Sequence, residues 1–335
     1  MKQFACVFLV VASAVLCLAL GACREAGEGT AGGQGQGEQK TLTIGVSIPS
    51  ADHGWTAGVG YWAKRAMAAY PQVNWVYMLA DNAEDQIQDV RDMMAQQKLD
   101  GLVVLAHESV PLTPVAREVR DKGIYIVNVD RGFAEPGIAN VFIEGDNESF
   151  GRKSAEFVVE KMGGRGKLLI IRGIPCTVDT YRFNAAMEVF KKHPEIEILG
   201  EPQFAYYQRE KGHKVMQDLL NKYDHIDAVW AQDDDIALGA EQAIREAGRT
   251  DIQWMLGGAG MKDIVKRVMD GDPMFPADIT YPPSMIAVGI HMCVSNLRDG
   301  KLEAVRQFMP RHIKLDVDLI TPDNAAEHYY PDSVY

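Results

Sequence analysis

From Thr41 onward, the chain alternates between short apolar runs and longer stretches in which apolar residues recur with helical spacing. The stretch Glu84–Gln97, for example, places Ile87, Val90 and Met93 on one face. Short apolar runs bounded by polar residues are typical of buried strands. In the first series the predicted strands are Leu42–Ile48, Val73–Leu79, Gly101–Ala106 and Ile124–Val129. Strands that alternate with helices predict a parallel sheet covered by helices on both faces.

The same alternation begins again in the second half of the chain. The strands predicted there are Lys167–Gly173, Ile198–Ala205, Ala228–Gln232 and Ile252–Gly258. Chains of about 300 residues tend to divide into two cores. The pattern therefore predicts an α/β protein with two similar lobes, each built on a doubly wound parallel sheet.

Polar and aromatic side chains gather where the predicted strands end. The fourth strand ends in Asp130 and Arg131, and the loops after other strands contain SIPSADHGWT, AYYQ, AQDDD and GGAGM. In open α/β sheets, ligands bind beyond the carboxyl ends of the strands. The sequence therefore predicts a ligand crevice shared by the two lobes, with Asp130 and Arg131 delivered to it.

The first residues have the pattern of an export signal. Lys2 precedes the apolar run Phe4–Leu20, which is short for a membrane span. The run ends in Leu-Gly-Ala-Cys, which resembles a lipobox and predicts a lipoprotein signal peptide at residues 1–22 with lipidation at Cys23; an ordinary signal peptide with a chance cysteine is the alternative. Residues 23–40 are rich in Gly, Gln and Glu, and predict a flexible tether.

Charge and cysteine content narrow the function classes. The 335-residue chain has a formal net charge of -12 and no cluster of Lys or Arg, so we expect no nucleic-acid partner. No Cys or His spacing is typical of zinc, and we expect neither a metal nor a cofactor. Cys176 and Cys293 are the cysteines of the predicted folded part, and they either pair or pack separately.

Several stretches together resemble a known family. They are VDR at 129–131, GDN at 145–147 and AVWAQDDDIALGA at 228–240. In order and spacing they resemble the periplasmic sugar-binding proteins of the ribose-binding type, which are ABC-transporter receptors, over residues 41 to 325. The resemblance implies the type 1 periplasmic binding fold, with a hinge of three crossing segments near Glu144–Asn147, Ile279–Pro282 and Phe308–Ile313. The implied lobes are residues 41–144 plus 281–309, and 145–280 plus 310–335.

The resemblance also implies a sugar site at the strand ends. In the family, an Asp-Arg pair after the fourth strand holds sugar hydroxyls, and Asp130 and Arg131 match it. An aromatic residue of the first loop stacks on the sugar ring and matches Trp55, with Asp52 and His53 beside it. Carboxylates and planar guanidinium groups suit vicinal hydroxyls, and the carbon face of a ring packs on an aromatic side chain.

In the second lobe, the resemblance assigns similar work to Arg182 and Asp233. Two positions depart from the family pattern. Ala259 stands in GGAGM where the ribose-type proteins carry an Asp, and Tyr281 stands where they carry a Gln. Two polar contacts to sugar are therefore expected to be lost. We expect a ligand other than ribose, with fewer hydroxyls, a different ring or a different polar group.

Each predicted contact has a plainer alternative. Asp130 and Arg131 could form an exposed turn, and Trp55 could pack at the lip of its own lobe. Arg182 could pair with Asp179 on its own helix. A helix cap, hinge packing or a solvated loop could account for Asp233, Tyr281, Asp52 and His53.

The favoured function is an extracytoplasmic receptor that closes on a small sugar or polyol and delivers it to an ABC permease. The same fold could instead signal to a chemoreceptor or sensor kinase. An enzyme is not favoured, because the chain has no nucleophile elbow and no phosphate loop. A DNA-binding regulator is set aside, because an export signal occupies the N-terminal place of its helix-turn-helix. We expect a monomer in the periplasm or at the cell surface, anchored through Cys23.

Overall fold

Two parallel sheets organise residues 41–298 and 309–335, which are the residues that this computed structural model describes. The first sheet has six strands in the order β12-β5-β4-β3-β1-β2. Its elements, with the helices between them, are β1 (Thr43–Pro49), α1 (Gly54–Ala68), β2 (Asn74–Ala80), α2 (Ala83–Gln96), β3 (Gly101–Val104), α3 (Ser109–Asp121), β4 (Tyr125–Val129), β5 (Val141–Gly145) and β12 (His312–Leu315).

The second sheet has five strands, with β10-β9-β6-β7 in order and β8 also paired to β6. Its elements and neighbouring helices are α4 (Asn147–Lys161), β6 (Gly166–Arg172), α5 (Thr177–Phe190), β7 (Ile196–Ile198), β8 (Gln203–Phe204), α6 (Arg209–Lys222), β9 (Ala228–Ala231), α7 (Asp234–Glu246), β10 (Trp254–Leu256) and α8 (Lys262–Met269). All pairs in both sheets are parallel. The predicted α/β fold with two doubly wound lobes is confirmed.

The central strands of the two sheets are buried along most of their length because helices cover both faces of each sheet. In β4, Ile126, Val127 and Val129 are all fully buried, although they point to alternate faces. In the second sheet, the corresponding buried run is Leu168–Ile171 in β6. Because each strand ends where this burial on both faces ends, the polar residues that follow it lie at the carboxyl edge of the sheet.

The chain passes between the two lobes near the end of β5, where Gly145 closes the strand and Asn147 opens α4. It returns after β11 (Asp278–Ile279) and enters α9 (Met285–Arg298), which packs on β3 and β4. These two passages lie where the sequence places the first two crossings.

The third passage differs from its expected place. The boundary after residue 309 assigned His312–Leu315 to the second lobe, yet this strand pairs with β5 in the first sheet. The edge of β5 is open to a parallel partner, and β12 fills it before the chain leaves. The passage to β13 (Leu319–Ile320) and α10 (Ala325–His328) therefore begins after Leu315, while residues 299–308 lie outside the described part.

The predicted strand Ile198–Ala205 is also corrected, because it forms two short strands, β7 and β8. Gly200 between them has φ 68°, a left-handed conformation that ends an extended run. Pro202 lies two residues later and cannot donate a ladder hydrogen bond. Both short strands still pair with β6, so the loop after β8 reaches the same edge of the sheet.

The signal, the tether and Cys23 lie outside the described residues. In residues 41–298 and 309–335, no helix combines the length and apolar character needed to cross a membrane. Cys176 and Cys293 are both buried and both free, so they pack separately.

Candidate functional site

A cavity with about 280 Å³ of empty space, part of it open to solvent, lies between the carboxyl ends of the two sheets. The centre of a water-sized sphere can occupy only about 20 Å³ of this space. Seven of the side chains predicted as ligand contacts line it, and they are His53, Trp55, Asp130, Arg131, Arg182, Asp233 and Tyr281. The fold therefore brings together residues that are distant in the sequence. The two that lie farthest apart, His53 and Tyr281, are separated by 228 positions.

The first lobe contributes Asp130 and Arg131 at the end of β4. Both are buried, at 2% and 4% exposure, so the alternative of an exposed turn is wrong. Asp130 has φ 65°, and its backbone N–H donates to the Ile143 carbonyl at 2.7 Å. Aspartate is one of the residue types that adopt this left-handed conformation with little strain. This turn of the backbone directs both side chains into the cavity rather than along the sheet.

The carboxylate of Asp130 is only partly used within the described protein. Its Oδ1 accepts a 2.6 Å hydrogen bond from the Tyr281 hydroxyl, and its Oδ2 lies 3.6 Å from Arg131 Nε. Arg131 Nη1 donates to the His107 carbonyl at 2.8 Å. Burial raises the pKa of Asp130, against the opposing effect of Arg131. Within the described residues, one carboxylate oxygen, Oδ2 of Asp130, and two guanidinium nitrogens, Nε and Nη2 of Arg131, make no hydrogen bond.

Arg182 lies on α5 and is 3% exposed. Its Nε donates to Asn147 Oδ1 at 3.0 Å, and its Nη1 donates to the Gln232 carbonyl at 2.9 Å. The guanidinium carbon lies 3.8 Å from the centre of the Phe150 ring and 4.3 Å from that of Tyr281. Such stacking of a desolvated cation on rings is favourable by about 2 kcal/mol. Arg182 is thus held in one orientation from four sides.

The expected alternative for Arg182, a pair with Asp179, does not form. Asp179 instead accepts from Arg172, with Nε and Oδ1 3.1 Å apart. Arg172 comes from the end of β6 and reaches the first turn of α5. Asp179 therefore anchors its own helix to the sheet, which leaves Arg182 to the cavity.

Asp233 comes after β9 and begins α7 as its N-cap. Its Oδ1 accepts from the Asp235 backbone N–H at 2.8 Å, while the side chain also lines the cavity. Asp233 is therefore both the N-cap of α7 and a residue of the cavity wall. Burial raises the pKa of Asp233 to about 7, helped by the neighbouring charge of Asp235. At neutral pH, Asp233 can therefore either donate or accept a hydrogen bond.

Tyr281 joins the hinge to the cavity. Besides donating to Asp130, its hydroxyl accepts from Asn147 Nδ2 at 3.3 Å. Its ring lies against Gly145 so closely that a Cβ at residue 145 would be 2.1 Å from Tyr281 Cε2. The ring therefore needs glycine at the first crossing. Hinge packing and a place in the cavity wall are both true of this residue.

Trp55 forms part of the wall nearest the hinge. It is 4% exposed, and its indole Nε1 donates to the Tyr281 carbonyl at 2.8 Å. The centres of the Trp55 and Tyr281 rings are 5.8 Å apart. Because its single donor is engaged, the indole presents only carbon surface to the cavity.

Asp52 does not reach the cavity, in contrast to the expectation from the sequence. It lies behind His53, whose Nδ1 is 2.6 Å from Asp52 Oδ1, and its Oδ2 accepts from Gln208 Nε2 at 3.2 Å. Burial alone would raise the pKa of Asp52, but the hydrogen bond and charge of His53, with the Gln208 amide, hold it well below its usual range. Asp52 orients His53, and His53 is the residue that lines the cavity.

Tyr207, Val178 and Ala259 complete the wall. Tyr207 was not predicted, although its loop, AYYQ, was among the strand ends that the sequence indicated. Its ring is stacked 5.8 Å from His53, and its buried hydroxyl has no partner within the described residues. Val178 was not predicted either, because an apolar residue in the first turn of a helix carries no signal.

The two lobes contact one another over this cavity. The Gly54 backbone N–H donates to Asp235 Oδ2 at 2.8 Å, and the Gly132 N–H donates to Thr177 Oγ1 at 3.0 Å. The first bond joins the N-terminus of α1 to α7, and the second joins the loop after β4 to α5. The structure is therefore the closed form, in which the wall residues of both lobes face a common space.

A family model described as the periplasmic binding protein domain matches residues 44–301. The chain belongs to the periplasmic binding protein family. The family consists of binding proteins rather than enzymes. Within the described residues, no group of three or more His, Cys, Asp or Glu side chains could hold a metal ion.

Two curated members of the family are similar over most of this chain. The xylitol-binding protein of Mycolicibacterium smegmatis is 26% identical over 237 residues, which are 69% of this chain and 66% of that protein. The ribose import binding protein of Bacillus subtilis is 25% identical over 265 residues, which are 79% of this chain and 84% of that protein. The family resemblance inferred from the short stretches is thereby confirmed.

Two solved structures have the same fold. One is an ABC transporter solute binding protein from Mycobacterium smegmatis with bound glycerol, with a TM-score of 0.77, 25% identity, and coverage of 88% of this chain and 99% of that chain. The other is the fructose binding periplasmic domain of a hybrid two component system, with a TM-score of 0.76, 25% identity, and coverage of 85% and 92%.

Proposed function

We propose that this protein is an extracytoplasmic solute receptor that closes on one small carbohydrate or polyol and delivers it to an ABC importer. The observation that carries the proposal is the closed cavity itself. Each lobe supplies one arginine and one carboxyl group, Asp130 and Arg131 from the first, Arg182 and Asp233 from the second. A ligand that binds both sets stabilises the closed form over the open one.

The chemistry of the cavity suits hydroxyl groups. A hydroxyl both donates and accepts, so it can pair with a carboxylate oxygen and a guanidinium nitrogen at once. Charge-assisted bonds of this kind are about twice as strong as neutral ones. The rings of Trp55, Tyr207 and Tyr281 supply the carbon surface that a sugar ring packs on. The small volume favours a single ring or a short polyol over an oligosaccharide.

Anchoring and partners belong to the same proposal. Removal of residues 1–22 and lipidation of Cys23 would leave residues 23–40 as a tether between a membrane and a monomeric receptor. The second candidate partner is a chemoreceptor or sensor kinase, and the similarity to a domain of a two component system is the observation that favours it. A permease gene or a kinase gene beside this one would distinguish the two.

A thermal-shift screen of the purified chain tests the proposal directly. The probes are pentoses, hexoses, deoxy sugars, polyols and inositols. A ligand at a hundred times its dissociation constant adds about 2.7 kcal/mol of stability, which raises the melting temperature by several degrees. We expect at least one sugar or polyol to do so. No shift with any of them would overturn the proposed ligand class.

A further inference from the structure

Ala259 has the most unusual backbone of the residues that line the cavity. Its φ is 113°, a conformation that L residues rarely adopt and that costs of the order of 1–3 kcal/mol. Asp130 and Tyr207 also have positive φ and line the cavity, but Asp tolerates such conformations through its short polar side chain. Alanine has no such compensation. A strained alanine, where glycine would fit without strain, indicates that the methyl group itself has a use.

The hinge holds this methyl group in place. The Ala259 N–H donates to the Ile279 carbonyl at 2.8 Å, and its carbonyl accepts from the Tyr281 N–H at 3.2 Å. Both neighbouring peptide groups are therefore fixed by the strand that leads back to the first lobe. The residue is 5% exposed and lines the cavity.

Ala259, Tyr281 and Trp55 form what we call the apolar corner. The Tyr281 hydroxyl is engaged by Asp130 at 2.6 Å, and the Trp55 indole N–H is engaged by the Tyr281 carbonyl at 2.8 Å. Ala259 has no polar side-chain atom. None of the three side chains therefore has a hydrogen-bonding group to spare for a ligand.

The charged residues form the other part of the wall and do have such groups. Within the described residues, Asp233 Oδ2 and the Nη2 atoms of Arg131 and Arg182 make no hydrogen bond, and Asp130 Oδ2 has only the 3.6 Å approach of Arg131 Nε. A ligand hydroxyl placed there gains partners. A hydroxyl placed against the apolar corner loses water and gains none, which costs about 1–3 kcal/mol.

We propose that the ligand is a deoxy sugar or deoxy polyol, whose methyl or methylene carbon packs against the apolar corner while its hydroxyls bind the charged residues. This inference rests on the proposed function, since it names the class of sugar or polyol that the same cavity selects. Ala259 is then a specificity-determining residue, because a polar side chain there would accept the hydroxyl that the methyl group excludes.

Calorimetric titration with matched sugar pairs tests the inference. The pairs are D-fucose and D-galactose, L-fucose and L-galactose, L-rhamnose and L-mannose, and 2-deoxy-D-ribose and D-ribose. We expect a deoxy sugar to bind at least tenfold more tightly than its parent in at least one pair. If parent sugars bind as tightly as their deoxy forms in every pair, the inference fails while the proposed function stands. If no sugar or polyol binds at all, both fail.

Two variants tie the preference to residue 259. Ala259→Asp places a carboxylate in the apolar corner, and we expect it to reverse the preference toward the parent sugar. Ala259→Gly removes the methyl group and the strain, so we expect it to fold and to bind, with the preference for the deoxy form reduced at least threefold. A preference unchanged in Ala259→Gly would overturn the role of the methyl group, even if Ala259→Asp fails to fold.

Discussion

The two arginines of the cavity are equally buried but differently held. Arg131 is 4% exposed and makes one hydrogen bond, from Nη1 to a backbone carbonyl at 2.8 Å. Arg182 is 3% exposed, makes two hydrogen bonds and lies between the rings of Phe150 and Tyr281. The difference indicates a division of work. We infer that Arg182 mainly supports the wall of the second lobe and propose that Arg131 binds the ligand.

Replacing Arg182 by alanine has the largest expected effect. The change leaves Asn147 Oδ1 and the Gln232 carbonyl without their donor and opens a void between two rings. Each unsatisfied buried acceptor costs about 1–3 kcal/mol, and the void adds to this. We expect a stability loss of at least about 3 kcal/mol and no measurable binding. Urea unfolding and calorimetry measure the two quantities.

The matched control for Arg182 is Arg91→Ala. Arg91 pairs with Glu118 at 2.6 Å on the surface, with 47% and 41% of the two side chains exposed. Surface pairs of this kind contribute about 0–1 kcal/mol, and we expect binding to be unchanged. If Arg182→Ala proves as stable as Arg91→Ala, Arg182 is not a framework residue and the contrast between the arginines disappears.

Replacing Arg131 by alanine separates binding from stability. We expect the dissociation constant to rise at least tenfold, or about 1.4 kcal/mol, because Asp130 loses its neighbouring cation and the ligand loses a donor. The stability loss is expected to be less than half that of Arg182→Ala, since one backbone carbonyl is affected. Arg117→Ala, at an exposed pair with Glu135, is the control. An unchanged affinity would remove Arg131 from the ligand site.

Tyr281→Phe tests the residue that contacts both arginines' neighbourhoods, since the Tyr281 hydroxyl bonds Asp130, beside Arg131, and the Tyr281 ring packs on Arg182. The change removes the 2.6 Å donor to Asp130 and the acceptor of Asn147, while it keeps the ring that covers Arg182. We expect a loss of about 1–2 kcal/mol in stability and a few-fold weaker binding. Tyr61→Phe, whose hydroxyl meets Arg65 at the surface, is expected to change neither. Equal stability and equal affinity in the two variants would show that the hydroxyl of Tyr281 contributes to neither folding nor binding.

The sequence predicts which residues lie in this site better than it predicts which residues each of them contacts. Asp130 and Arg131 could be placed because a buried strand ends at a fixed point and delivers the next side chains to the ligand edge of the sheet. The enclosure of Arg182 could not be predicted, because Asn147, Phe150 and Tyr281 approach it from distant parts of the chain. The same limit applies to β12, since nothing in its four residues indicates which sheet has an open edge.

Backbone conformation is the second part that the sequence left open. Alanine within GGAGM suggests a turn, but not that the turn places Ala259 at φ 113° among the residues that line the cavity. That conformation depends on hydrogen bonds to Ile279 and Tyr281, which join β10's end to the hinge. The departure from the family pattern was visible in the sequence, whereas its strain and its apolar neighbours were not.

The two carboxyl groups of the cavity, those of Asp130 and Asp233, also have different hydrogen-bond partners. The smallest of the expected effects follows from the surroundings of Asp233. Asp130 has a hydroxyl donor and a neighbouring guanidinium, whereas Asp233 has a backbone N–H, and burial raises its pKa to about 7. An unfolded Asp has a pKa of about 3.9. Between these values the folded protein holds a proton that the unfolded chain releases, so Asp233 lowers stability progressively as the pH rises from about 4 to 7.

Asp233→Asn removes this titrating group, because Asn caps a helix about as well as Asp and does not titrate. The charge of Asp233 also helps to raise the pKa values of the buried carboxyl groups of Asp234 and Asp278, so its removal lowers those pKa values and acts on stability in the same direction. We expect the variant to gain about 1 kcal/mol relative to the parent between pH 6 and pH 7, and little more above pH 8. Urea unfolding at pH 5, 6, 7 and 8 measures this difference. Parallel stability curves would mean that Asp233 is ionised throughout this pH range.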